Sequence, residues 1–370
     1  MTNDNKPLCY FDAGAWNSWD FVDYATTPPT LKMAELNNYI STLSSQLKNA
    51  KLDKITFSFA QLCDLQKIER GDLENCSHTD SLWMLYKNSD GAFTKSTHLN
   101  ILQYVMSQLK ANDIIPILSF GGAAATEEDF IFGFDYKNYT PSDAVNEVMT
   151  IINLYSVGGL DFDFETASMN MVYDNGAANL ANFFKQLHAK AGIPITYTVM
   201  GQVSLWGTGG SVFKEMFSQG VSFADMFDGV NLMLYNGQYY IDAQNSSWGI
   251  ELWMQDLANQ IGCPVAETAQ YIHIGYNDSL DYTNPTSSAG TKYDIPSDLS
   301  NGSAAAWIQN EVQEELRTIL SDSTLTLNAP IFWEGKANYG RGPDGISLFI
   351  TDEDSFQQQF LSWQPDFATV

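Results

Sequence analysis

The sequence predicts an α/β fold: a single (β/α)8 TIM barrel with loop insertions at the carboxyl-terminal face of its sheet. Three observations lead there. Strand-like and helix-like segments alternate along the 370 residues, as a parallel sheet with crossover helices requires. The residues with most chemical character fall at the carboxyl ends of the strand segments, the face where such barrels build their sites. No phosphate-binding glycine loop, which would favour an open doubly wound sheet, follows the first strand. Periodicity alone does not separate the two architectures. A barrel needs about 250 residues and tolerates insertions, so one domain over 1–370 is the simplest division.

The first strand is Leu8-Cys9-Tyr10-Phe11, running into an aromatic loop with Trp16 and Trp19. Leu31 to Ala50 has apolar residues near helical spacing, and Ile55 to Ala60 is the second strand. A polar, turn-rich excursion then runs from Gln61 to Lys95; loops of that length on a compact domain are usually functional or disordered. A helix over Leu99 to Asn112 leads to a third strand from Ile114 that ends in Ser119-Phe120-Gly121-Gly122. Pro141 to Tyr155 reads as helix, Gly158 to Thr166 as the fourth strand, Ala177 to Ala191 as helix and Ile195 to Met200 as the fifth strand. A short helix over Val212 to Gly220 and a sixth strand from Asp228 to Asn236 follow, then a helix over Ile250 to Ile261 and a seventh strand from Tyr271 to Tyr276. A polar loop, 279–301, precedes a helix over Ala304 to Leu320. Two segments compete for the eighth strand, Ala329 to Glu334 and Gly345 to Ile350, and Asp352 to Trp363 is the last helix.

Composition narrows the partners. Lys plus Arg number 18 against 44 Asp plus Glu, a net charge of −26, which argues against nucleic acid, an anionic membrane or a polyanionic substrate. A neutral ligand fits better. Aromatic residues make up 13% of the chain, nine of them Trp; a surplus of this kind supplies stacking platforms, although core packing is the default for any single ring. Cys9, Cys63, Cys76 and Cys263 have no zinc or redox spacing. Cys63 and Cys76 share one loop-like region, and a disulfide and two free thiols both remain open there. His78, His98, His188 and His273 show no metal-ligand spacing, so they read as structural or surface residues. The amino terminus has no secretory pattern and no stretch is long enough to span a membrane. Cytoplasmic residence, a removed leader and export by a signal-independent route to the extracellular space all remain open, and a monomer is expected.

The chemistry concentrates in Gly158-Gly159-Leu160-Asp161-Phe162-Asp163-Phe164-Glu165. Strand side chains alternate between faces, so Asp161, Asp163 and Glu165 project from one face while Leu160, Phe162 and Phe164 project from the other. An acid-alternating strand is ordinarily a solvated edge. With two phenylalanines on the opposite face and helices on both sides in sequence, it reads instead as a central strand. Its acids then face an enclosed space in which they cannot all ionise, and a carboxyl held protonated near neutral pH serves as a general acid.

The run resembles the D-x-x-D-x-D-x-E signature of the family 18 glycoside hydrolases, the chitinase-like enzymes, with Gly158 in place of the first aspartate. Ser119-x-Gly121-Gly122 resembles the same family's S-x-G-G motif, and Met233-Leu234-Tyr235-Asn236 resembles its M-x-Y-D motif in a Y-N variant. The resemblance implies substrate-assisted retaining hydrolysis of β-1,4-linked N-acetylglucosamine, as in chitin or chitooligosaccharides, without metal or cofactor. Glu165 is then the proton donor. Asp163 orients the substrate's acetamido group, Asp161 shares a proton with Asp163 and sets its charge, and Tyr235 holds the acetamido oxygen. The family's eighth strand ends in a tryptophan that floors the reactive sugar, which favours Trp333. Tyr10, Trp16, Met200, Gln202, Trp206, Asn236 and Tyr239 lie at strand ends or in following loops, where they line a groove if they are not simply packed. Gly121 and Gly122 complete the substrate-binding set. Two other readings compete: an endo-β-N-acetylglucosaminidase acting on N-glycans, and a lectin that binds chitooligosaccharides without turnover.

Overall fold

In the computed structural model the described residues are 8–12, 21–23, 25–26, 30–49, 52–60, 86–87, 93–122, 140–164, 176–200, 216–233, 250–277, 314–325 and 331–333. Eight parallel strands form the barrel: β1 (Leu8–Asp12), β2 (Lys54–Ala60), β3 (Ile115–Gly121), β4 (Gly159–Phe164), β5 (Ile195–Met200), β6 (Gly229–Met233), β7 (Ile272–Asn277) and β8 (Ile331–Trp333). Each pairs with its neighbours in chain order, and β8 closes the ring by pairing with β1. The expected barrel is therefore present, and its eighth strand is the segment that ends in Trp333. The competing segment at 345–350 and the helix expected over Asp352 to Trp363 lie outside the described residues.

The longer helices among the described residues are α1 (Met33–Asn49), α2 (Lys95–Ala111), α3 (Pro141–Tyr155), α4 (Gly176–Ala191), α5 (Ile250–Ile261) and α6 (Glu314–Leu320). Local signals explain their ends. The Thr140 hydroxyl accepts the Asp143 N–H while the Asp143 carboxylate accepts the Thr140 N–H, a capping box with Pro141 in the first turn of α3. Those hydrogen bonds hold the Asp143 carboxyl below its usual range.

Three boundaries differ from expectation. Leu31 is not helical. It pairs antiparallel with Val22 in a two-stranded ribbon, and a pairing with an upstream segment leaves no trace in local apolar spacing. Within the expected excursion from Gln61 to Lys95, Tyr86–Lys87 pairs with Phe93–Thr94, and α2 begins at Lys95 rather than Leu99. The first turn of α2, Lys-Ser-Thr-His, has no apolar residue to announce it. Tyr271 closes a short 3-10 turn, and β7 starts after it.

The packing is layered by parity. Residues of the outer sheet face, among them Phe57, Leu118, Phe120, Leu160, Phe162, Tyr197, Val230 and Leu232, are buried against the helices. Phe162 meets Phe120 at 5.5 Å and, from α4, Phe184 at 4.9 Å and Phe183 at 6.2 Å. The inner face is polar: Thr56, Ser58, Ser119, Asp161, Asp163, Thr198 and Asn231 are buried there. Most of the hydrophobic layer thus lies between sheet and helices, and these buried polar groups face the lumen, with Ile117 sharing their parity on β3.

Candidate active site

β4 carries Asp161 and Asp163 at the centre of the lumen, 0% and 2% exposed, so neither is a solvated edge residue. Register fixes their surroundings. Asp161 is level with Ser119 on β3 and Thr196 on β5, and Asp163 is level with Gly121 and Thr198. Asp161 Oδ2 accepts a hydrogen bond from the Ser119 hydroxyl at 2.6 Å. Its Oδ1 accepts from the hydroxyls of Thr196 and Thr198, each at 2.8 Å, and from Asn231 Nδ2 at 3.2 Å. Asn231 Nδ2 also donates to Thr198 Oγ1 at 2.9 Å. Contacts between side chains of β4 and β6, with β5 between them, are possible only on the concave side of the sheet. They place the acids inside the barrel.

The glycine pair has a conformational reason. Gly121 and Gly122 have φ of 112° and 86°, values at which a Cβ is strained. There the chain leaves β3, and the Gly122 N–H donates to the Asp163 carbonyl at 3.3 Å. The Ser-x-Gly-Gly stretch therefore does two jobs: its serine holds one acid and its glycines let the backbone turn beside the other. On the outer face, the fully buried Tyr197 hydroxyl is pushed well above the ordinary phenol value, by burial and then by the negative charge of Asp163. It remains neutral.

Gly158 stands at the amino-terminal end of the barrel, just before β4. A Cβ there would lie 2.6 Å from Ile115 Cγ2 and 3.5 Å from the Pro116 carbonyl, which accepts the Gly158 N–H at 2.8 Å. Ile115 fills the volume that a side chain at 158 would need. We expect Gly158→Ala to destabilise the protein by about 1–3 kcal/mol, as overpacking does. Adding Ile115→Ala should recover part of that loss in urea denaturation; no recovery would mean that Ile115 is not the obstacle.

The other expected site residues divide by position. Tyr10 and Trp333 are register partners across the β1–β8 closure, and Met200 and Met233 are partners across β5 and β6. Glu165, Gln202, Tyr235, Asn236, Trp16, Trp206, Tyr239, Cys63 and Cys76 lie outside the described residues. Thr196, Thr198 and Asn231 were not singled out from the sequence. The signal was available, since Asn231 lies an even number of residues before Tyr235 in the sixth strand expected from the sequence and a buried acid demands donors. His273 is level with Asn231, and its ring lies over Gly229, so it belongs to the barrel wall. Among the described residues, no group of His, Cys, Asp and Glu is arranged to hold a metal ion, and no helix is long and apolar enough to cross a membrane.

No protein-family model matches the chain, and no curated protein matches it. Solved structures do. A GH18 chitinase from Pseudoalteromonas aurantia matches with a TM-score of 0.52 at 13% identity, over 93% of this chain and 99% of that one. The catalytic domain of a hyperthermophilic chitinase from Pyrococcus furiosus gives a TM-score of 0.48 at 15% identity, over 91% of this chain and 88% of that one. An endo-beta-N-acetylglucosaminidase from Cordyceps militaris gives a TM-score of 0.44 at 14% identity, over 89% of this chain and 81% of that one. Taken with the closed ring of eight parallel strands, the first of these likenesses establishes that the chain has a family 18 chitinase-like barrel fold.

Proposed function

We propose that the protein is a glycoside hydrolase that cleaves β-1,4-linked N-acetylglucosamine chains, with the 2-acetamido group of the sugar as the nucleophile. The observation that carries this reading is the pair of buried carboxyls, Asp161 and Asp163, on the inner face of β4; Glu165 follows them in the sequence at the same two-residue spacing. In this reading Glu165 protonates the glycosidic oxygen as the bond to the leaving sugar breaks. The acetamido carbonyl oxygen attacks the anomeric carbon from the opposite side, forming a cyclic oxazolinium ion. Asp163 accepts a hydrogen bond from the acetamido N–H and offsets the positive charge growing there, a preorganised electrostatic contribution. Tyr235 holds the acetamido oxygen in line. Water, deprotonated by Glu165, opens the ring and leaves the configuration retained. Trp333 and Tyr10, adjacent across the barrel closure, supply the floor of the reactive subsite, and Met200, Gln202 and Asn236 its walls.

Fluorogenic chitobioside and chitotrioside are the test substrates, alongside a cellobioside and a high-mannose glycoprotein. The expected result is product from the N-acetylated substrates and none from the cellobioside, whose 2-hydroxyl cannot act as the nucleophile. Cleavage of the glycoprotein alone would assign an endo-β-N-acetylglucosaminidase. Binding of chitooligosaccharide without turnover would assign a lectin and defeat the enzyme reading.

A further inference from the structure

We propose that Asp228 is a positioning residue: its carboxyl group, met by His188 of α4, fixes where β6 enters the barrel beside β5, and through that entry where Asn231 stands opposite Thr198. Its effect on turnover rests on the glycosidase reading; the joint itself does not.

Three elements converge on this residue. Asp228 immediately precedes β6, and its N–H donates to the Ile195 carbonyl at 2.8 Å. Its Oδ2 accepts the Ile195 N–H at 2.9 Å. One residue thus grips both backbone polar groups of the first residue of β5. A strand held in this way cannot slide along its neighbour without breaking both bonds. Ile195 is buried, so a freed N–H there is left unpaired at a cost. His188 Nε2, in the last turn of α4, meets the same Oδ2 at 3.2 Å, and the two side chains are 22% and 17% exposed. The carboxyl group is therefore held from the helix layer as well as from the sheet.

The approach to β6 shows why such a joint is needed. The chain arrives from a 3-10 turn over Phe223–Asp225, not along a strand, so no strand residue before Asp228 sets the height of β6 against β5. Phe227, next to Asp228, packs on Phe184 of α4 at 4.7 Å and on Tyr197 of β5 at 5.7 Å. That apolar contact fixes depth, but it is non-directional and tolerates sliding; the two bonds from Asp228 to Ile195 are directional and define the height. Beyond the joint, Gly229 is level with Thr196 and Asn231 with Thr198. Asn231 Nδ2 donates to Thr198 Oγ1 at 2.9 Å, and both side chains hydrogen-bond Asp161. A displacement at the entry of β6 is carried along the strand to that contact.

The test compares Asp228→Ala, Asp228→Asn and His188→Leu in the full-length protein. By NMR, amide hydrogen exchange at Ile195 should speed up about tenfold or more in Asp228→Ala, the effect of losing one hydrogen bond, and the Asn231 side-chain amide signals should shift. On chitotrioside kcat should fall about tenfold or more, as small misplacements near a reacting centre do, with KM little changed. Asp228→Asn, whose side-chain oxygen still accepts the Ile195 N–H, should restore the exchange rate, the signals and kcat. His188→Leu should move all three in the direction of Asp228→Ala, and it carries the test if Asp228→Ala fails to fold. A merely structural role would lower the melting temperature while leaving kcat, measured well below it, and the Asn231 signals in place. Asn231 signals at their wild-type positions in Asp228→Ala, or an Asp228→Asn variant that restores nothing, overturns the proposal. Absence of turnover by the wild type defeats the glycosidase reading, while the exchange rate and the Asn231 signals still decide the joint.

Discussion

Glu165→Gln is expected to lower kcat on chitooligosaccharides by about 10²–10⁴-fold, the usual range for loss of a general acid, with KM changed little. Glutamine keeps the size and hydrogen-bonding reach of glutamate but has no proton to give, so binding survives and leaving-group departure does not. The expectation follows from the sequence spacing: Asp161 and Asp163 are buried on the inner face of β4, and Glu165 follows Asp163 by the same two-residue step in the sequence, on the side of the strand's carboxyl end, where barrels of this kind work. A substrate with a good leaving group, such as a dinitrophenyl glycoside, needs less protonation and should recover much of the lost rate in the variant. Wild-type turnover by Glu165→Gln on the natural linkage would place the acid elsewhere.

Phe162→Ala is expected to destabilise the protein by about 3–5 kcal/mol, measured by urea or thermal denaturation. Phe162 is 2% exposed and touches Phe120, Phe183 and Phe184, while Phe184 continues to Phe227 at 4.7 Å. An alanine leaves a cavity between β4 and α4 that rigid strands cannot close. The loss is a large share of the roughly 5–15 kcal/mol typical of folded domains. Phe162→Leu, which keeps most of the apolar volume, should cost clearly less. A loss under about 1 kcal/mol for the alanine variant would mean that the aromatic cluster repacks around the gap.

The first seven strands were legible from their own local pattern, whereas the eighth had two candidates and only the resemblance favoured the segment ending in Trp333; α3 was legible to the residue because Thr140-Pro141 and Asp143 announce its start. Leu31 and the Tyr86–Lys87 ribbon were not, since a bridge between separated segments has no local signature. The acids could be read from β4 alone. Their donors could not: Asn231 lies 70 positions from Asp161 and Ser119 lies 42 away, and only closure of the ring makes them neighbours. Threonine and asparagine are ordinary strand residues until a buried carboxylate is found opposite them. Gly158 shows the converse: it is read easily in the sequence, but the Ile115 side chain that a Cβ there would meet is visible only in three dimensions.

The opposite characters of the two sheet faces separate what can vary from what must stay. Along β4 the odd-numbered positions 161 and 163 present buried carboxyl groups to the lumen, while positions 160 and 162 anchor the strand to the helices. A change of reaction or substrate can be written on the lumen side without touching the aromatic layer, and a change in thermal tolerance can be written on the helix side without entering the lumen. For an engineer, the barrel is two nearly independent surfaces that share one backbone.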